Sequence, residues 1–263
     1  MTRELEVLES AIRKAAGIVL SGDRSAKQKG TSIGMYDVVT GSDVLAEESI
    51  LADIREAFPD DGIISEETNP DREISDRCWA IDPIDGTMNY SRGIPFFGMQ
   101  GCFMEGGVPK ASAIYLPVFD EMFTASDEGA FLNGRRISTC DPRPLSQCLV
   151  STGDFSRRSQ AFRDAQAAIF HDCYPDIARF KVFGASSVDF SYLAAGRLDV
   201  HVRFLNKIWD FKPGMHIAEM AGAVYDRKLV EDHGALVMCS SEEVLEEAME
   251  KLVPKFISIF RRA

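Results

Sequence analysis

No run of about 18 apolar residues occurs anywhere in the 263 positions, so no segment reads as a bilayer-spanning helix. The N-terminus, MTRELEVLESAIRKAAGIVL, lacks the basic start and unbroken apolar stretch of a signal peptide, which points to a cytoplasmic protein. The six cysteines (Cys78, Cys102, Cys140, Cys148, Cys173 and Cys239) form no CxxC pair. That argues against a zinc cluster and reads as reduced thiols in a core. The four histidines include no HExxH pair, so a histidine-based metal site is not expected. Positive charge is also short. Lys and Arg total 29 against 41 acids, a net −12 that would repel a nucleic-acid polymer. An anionic small molecule remains open, because a bound cation can invert the local field. Internal repeats and low-complexity linkers are absent, and 45% apolar content is an ordinary globular value.

What is present is a mixture of periodicities. Leu5, Leu8, Ile12, Ala15 and Val19 predict an amphipathic helix over 3–21. The polar, glycine-punctuated stretch Gly22–Gly34 reads as a loop, with Lys27 and Lys29 in reach of a neighbouring site. Val38 and Val39 read as a short strand, and a helix follows from Ser42, capped by Ser42 with Asp43 and ending near Phe58-Pro59. Ile63-Ile64 and Cys78–Ile81 are short apolar runs. Residues 95–132 read as an antiparallel meander, and Asn133-Gly134 as a turn. The second half alternates. Strands are expected at Leu149–Ser151, Phe180–Phe183 and Leu198–Val202. Helices are expected at 157–170, at Ser187–Ala195, from Asp210 to Met220, and around Val244–Leu252, with Pro254 breaking before an apolar tail. The pattern suggests layered α/β with a large antiparallel component.

Several of the apolar runs end in acid. Ile63-Ile64 precedes Glu66-Glu67, Trp79–Ile81 precedes Asp82 and Asp85, and Ile208-Trp209 precedes Asp210, while Asp37 and Asp43 flank a further apolar pair. One such case is ordinarily a turn or a cap. Clustered carboxylates, however, repel one another unless something positive joins them, and carboxylate oxygen is the preferred ligand of Mg²⁺, Mn²⁺ and Ca²⁺. In Asp82-Pro83-Ile84-Asp85-Gly86-Thr87, Pro83 restrains Asp82 to an extended backbone. Gly86 allows close approach of a ligand, and the N–H groups of Gly86 and Thr87 would receive an anion if a helix starts there. Carboxylates for metals beside a cradle for phosphate compose a phosphoryl-transfer site.

These residues resemble the inositol monophosphatase family, the Mg²⁺-dependent, lithium-sensitive sugar phosphatases. DPIDGT at Asp82–Thr87, the acidic pair Glu66-Glu67, DVVTGSD at Asp37–Asp43, Trp209-Asp210 with the following AGA, and Gly184-Ala185-Ser186 carry the resemblance over nearly the whole chain. It implies a layered αβαβα sandwich in a single domain over 1–263, with an α+β part to about 145, an α/β part beyond it, and a homodimer. It also implies that Glu66, Asp82 and the Ile84 carbonyl hold one Mg²⁺, and that Asp82, Asp85 and Asp210 hold a second. A third, weaker ion would share Glu66, with Mn²⁺ able to substitute. Thr87 and Asp43 would activate water, while Asp85, Gly86, Thr87, Gly184, Ala185, Ser186 and Asp210 would face the substrate. That substrate would be a small phosphate ester such as inositol 1-phosphate.

Two residues depart from the family pattern. Arg203 stands where animal members have an acid that accepts from inositol hydroxyls, and Lys212 lies in a Phe-Lys-Pro-Gly stretch close after Asp210. Both would favour a substrate with a second anionic group. Fructose 1,6-bisphosphate, 3′-phosphoadenosine 5′-phosphate and NADP are such alternatives. Histidinol phosphate is a further alternative on the same fold. If Asp210 is the N-cap of its helix, Pro213 falls in the tolerant first turn.

Overall fold

A computed structural model describes residues 2–29, 38–153 and 160–260. Asp37, Gly30–Gly34 and the expected helix start at 157–159 lie outside the described residues. The chain runs α1 (Arg3–Ser21), β1 (Ala26–Gln28), β2 (Val38–Thr40), α2 (Gly41–Ala57), β3 (Gly62–Ser65), β4 (Arg77–Asp85), α3 (Thr87–Ser91), β5 (Gly98–Glu105), β6 (Val108–Leu116), β7 (Glu121–Ser126), β8 (Gly129–Leu132) and β9 (Arg135–Arg136). It continues β10 (Leu149–Thr152), α4 (Gln160–Cys173), β11 (Arg179–Lys181), α5 (Ser186–Ala194), β12 (Val200–Phe204), α6 (Ile208–Met220), β13 (Val224–Tyr225), α7 (Arg227–His233), β14 (Ala235–Cys239), α8 (Glu242–Lys251) and α9 (Val253–Phe260).

Two sheets carry the fold. One has the order β3-β4-β5-β6-β7-β8-β9, and the other β11-β10-β12-β14-β13. The first is the expected meander, extended by β3 lying parallel to β4. Its outer face packs on the apolar stripe of α1 and α2, where Leu8, Ile12, Ile50 and Ile54 meet Trp79, Ile81 and Phe103. Its inner face meets α5 and α6, whose other side packs on β12 and β14. Helices α4, α8 and α9 cover the far face of the second sheet. The layering is α/β/α/β/α, as the family resemblance implies.

Side-chain alternation along β4 decides where its acids point. Trp79 and Ile81 enter the outer core, whereas Cys78 and Ala80 face α6 with Trp209. Asp82 continues the second series and therefore faces α6.

Three local expectations change. Helix α2 is capped by Thr40 and not by Ser42: Thr40 and Asp43 satisfy each other's backbone N–H groups in a capping box. Ser42 Oγ instead donates to the Asp23 carbonyl. Strand β4 does not stop at Asp82 but runs to Asp85, with its register against β5 shifted between Asp82 and Asp85. Pro83 falls in that shift, beyond the reach of β3, so no ladder bond is lost to its missing N–H. Helix α6 begins at Ile208 with Lys207 as its cap, which makes Asp210 a first-turn residue and places Pro213 inside the helix.

Candidate active site

The Glu66-Glu67 turn is shaped from below. Glu47 of α2, fully buried, accepts from Ser65 Oγ, Glu67 N and Thr68 N, each at 2.9 Å. A buried carboxylate thus organises the turn that presents two others. Lys29, just past β1, closes the arrangement with Nζ 2.8 Å from Glu66 Oε1 and 2.6 Å from Glu67 Oε1.

Asp82 is buried, and its two oxygens are held by Ile84 N at 3.1 Å and Gln100 Nε2 at 3.2 Å. Burial, followed by repulsion from Glu66, Asp85 and Asp210, raises its pKa well above the usual carboxylate range. Burial likewise raises Glu66, Asp85 and Asp43, and brings Glu67 and Asp210 to about 7. Opposing hydrogen bonds or cations moderate each of these: Lys29 at Glu66 and Glu67, Thr40 and Thr87 at Asp43, Ser187 at Asp85, and Arg203 at Asp210.

Thr87 opens α3, and its Oγ1 lies 3.0 Å from Asp43 Oδ1 and 2.9 Å from the Ile84 carbonyl. Asp43 Oδ2 accepts from Thr40 N at 2.8 Å and Thr40 Oγ1 at 2.5 Å. The dyad is therefore fixed by the capping box of α2. Gly86, the cap of α3, has φ 86°, and an added Cβ would stand 2.9 Å from Ala185 Cβ and 3.2 Å from the Phe96 carbonyl. Only glycine suits that position. The contact also brings Gly184-Ala185-Ser186 against the β4–α3 turn. Asn89 Nδ2 ties the same region together, donating to the carbonyls of Phe96 at 2.6 Å and Phe183 at 2.7 Å. Ser187 N donates to Asp85 Oδ2 at 2.6 Å.

Glu66, Asp82, Asp85 and Asp210 thus face one another across the junction of β4 with α5 and α6, with Thr87 and Asp43 beside them. Arg203 adjoins this group. Its Nη1 donates to the Asp210 carbonyl at 3.2 Å, its guanidinium lies 5.8 Å from the Phe190 ring, and its charge opposes the upward shifts that burial gives Asp85 and Asp210. Lys212 is not among them, because its Nζ reaches the Gly107 carbonyl in the β5–β6 turn. Among the described residues no three acidic, histidine or cysteine side chains are drawn together as a ready-made metal cage. The donor set nevertheless suits a hard divalent ion: it consists of mutually repelling carboxylate oxygens, and Gln100 Oε1, buried beside Asp82, has no hydrogen-bond partner among the described residues. Glu47, Asn89, Gln100 and Ser187 carry no motif of their own, whereas Thr40 stands in the DVVTGSD segment and, as T-x-x-D before a helix, had a local capping signal. Among the described residues no helix is long and apolar enough to cross a membrane.

The sequence matches the model of the inositol monophosphatase family over residues 1–256. It is 30% identical to "Nus factor SuhB" of Pasteurella multocida over 271 residues, covering 100% of both chains. It is 32% identical to the fructose-1,6-bisphosphatase/inositol-1-monophosphatase of Aquifex aeolicus over 227 residues, 86% of this chain and 85% of that one. Among solved structures, the IMPase of Thermotoga maritima superposes with a TM-score of 0.85 at 25% identity, covering 99% of each chain. The extragenic suppressor protein suhB of Bartonella henselae superposes at 0.84 with 27% identity, over 95% of this chain and 98% of that one. The chain belongs to the inositol monophosphatase family.

Proposed function

We propose that the protein is a Mg²⁺-dependent phosphomonoesterase acting on a small phosphorylated polyol or sugar, inositol 1-phosphate being the first candidate. The observation that carries this reading is the convergence of Asp82, Asp85, Asp210 and Glu66 on the Thr87–Asp43 dyad. Glu66, Asp82 and the Ile84 carbonyl would hold one ion, and Asp82, Asp85 and Asp210 another. When bound, Mg²⁺ or Mn²⁺ offsets the carboxylate repulsion, polarises the phosphate and makes a water more acidic. Thr87 Oγ1 orients the attacking water and passes its proton toward Asp43, whose buried carboxyl is already biased toward protonation. Gly86 and Thr87 offer N–H groups to the phosphate, and Ala185 and Ser186 close the opposite wall. A panel of sugar, nucleotide and amino-alcohol phosphates, assayed with Mg²⁺ and with or without lithium, tests the reading. No phosphate release from any member would reject it.

A substrate with a second anionic group, such as fructose 1,6-bisphosphate, is favoured by one further observation. A cavity of about 580 Å³ beside α3 is lined by Arg24 and Arg92 with Ser25, Gln28 and Ser91. We take Arg24 and Arg92, in place of Lys212, as the candidate partners of a distal phosphate, with the Asp23 carboxylate of the same lining opposing them. A fructose 1,6-bisphosphate kcat/KM below that for inositol 1-phosphate, and unchanged in Arg92→Gln, would remove this variant.

A Nus-factor role, after the name printed for some relatives, is the competing reading. Full complementation of a deletion strain by Asp85→Asn would favour it over catalysis. A homodimer accords with exposed Ile94, Val118, Phe119 and Val182 around the Phe96–Phe183 ring pair, and light scattering on the purified chain tests it.

A further inference from the structure

Lys29 is built into the acidic site. Strand β1 pairs antiparallel with β2, Ala26 opposite Thr40 and Gln28 opposite Val38. Thr40 is itself bonded to Asp43, so the backbone leading to Lys29 is anchored on the catalytic dyad. The Lys29 side chain is only 15% exposed, and its ammonium lies 2.8 Å from Glu66 and 2.6 Å from Glu67. Glu66 is engaged on two sides. One oxygen meets Lys29, while the carboxylate also faces Asp82, whose pKa its charge raises. The Asp82 side remains available for an ion shared with Asp82, whereas the side shared with Glu67 already holds a cation.

A divalent ion placed between Glu66 and Glu67 would have to share their oxygens with the ammonium. At contact distance the repulsion of two cations is large in a partly buried site, where solvent screens it poorly. An ammonium is a compact point charge that pairs with two carboxylates, here by a hydrogen bond to Glu66 and an ion pair with Glu67, without the octahedral shell that Mg²⁺ demands.

We propose that Lys29 is the resident cation of the Glu66–Glu67 pair and takes the place of a third metal ion, so that the site binds two divalent ions and no more. The proposal rests on the metal-dependent reading above and makes Lys29 a positioning residue that acts through Glu66.

Metal counting on the full chain tests it, with free Mn²⁺ followed by electron paramagnetic resonance and Mg²⁺ by calorimetry. Wild type is expected to saturate at two ions per chain, Lys29→Arg at two, and Lys29→Met at three. Three ions on the wild type, or two on a folded Lys29→Met, would overturn the proposal. Should Lys29→Met not fold, the wild-type count together with Glu67→Gln decides. Glu67→Gln is expected to keep two ions at wild-type affinity, and a loss of ten-fold or more at either would place Glu67 on a metal and overturn the assignment. No bound ion on the wild type would reject the metal-dependent reading itself, and Lys29's role with it. Two ions on both wild type and Lys29→Met would reject only the role of Lys29.

Discussion

Asp85 Oδ2 accepts the backbone N–H of Ser187 at 2.6 Å, although the two residues stand 102 positions apart. The bond joins the end of β4 to the first turn of α5 and fixes one carboxylate oxygen of a group whose charge raises the pKa of both Asp82 and Asp210.

Asp85→Asn keeps an oxygen for the Ser187 N–H and removes a charge from a group of mutually repelling acids. The metal-free variant is expected to melt at or above the wild-type temperature. Phosphatase kcat at saturating Mg²⁺ should fall by more than the ~10–100-fold typical of a metal's outer-shell partner. Thermal melts in chelator and steady-state assays check the two halves separately.

Thr87→Val preserves shape at a buried position and deletes the hydroxyl between Asp43 and Ile84. A loss of ~10²–10⁴ in kcat with little change in KM is expected for a proton-transfer group. Thr87→Ser should recover most of it. Equal loss in the Ser and Val variants would argue that the methyl, not the hydroxyl, matters.

Asn89→Ala removes both bonds of the side-chain amide and leaves two carbonyls short of a donor. The expected cost is about 1–3 kcal/mol of stability. Because these carbonyls belong to the loops beside Gly86 and Ala185, KM for the phosphate ester should also rise. Urea melts and Michaelis curves on the same preparation measure both.

His216 is 8% exposed, hydrogen-bonded to Ser112 Oγ at 2.8 Å, and its pKa is lowered to about 4, chiefly by burial and then by Lys110. Its folded value lies below the unfolded value of about 6.5, so the unfolded chain binds the proton more readily. The stability associated with neutral His216 is complete above about pH 6.5 and is lost as pH falls toward 4, at most about 3 kcal/mol. Urea midpoints between pH 7 and pH 4 should drop less steeply in His216→Asn than in wild type.

The acids of the site were legible because short apolar runs end in them, and because clustered carboxylates repel one another unless something positive joins them. The face on which Asp82 emerges was not legible, because Cys78–Ile81 is apolar throughout and only the packing separates Trp79 and Ile81 from Cys78 and Ala80. Contacts spanning distant segments were not. Asn89 meets Phe183 across 94 positions, and Lys29 meets Glu66 across 37. No local periodicity encodes such partners. The Ser42 cap was misplaced because a serine adjoining the apolar positions competes with Thr40. What decides is the reciprocal bond to Asp43, a matter of backbone geometry. Lys212 was placed by proximity in sequence to Asp210, but two steps along a helix turn a side chain away to the opposite side.

The central layer of α5 and α6 belongs to both sheets at once, and it supplies Ser187 and Asp210 to a site whose remaining acids come from β4 and the turn after β3. Residues 1–145 and 146–263 expressed as separate polypeptides would therefore each carry an incomplete ligand set. Activity would return only on reassociation, so the chain should behave as a split enzyme whose signal reports whether its two pieces have met.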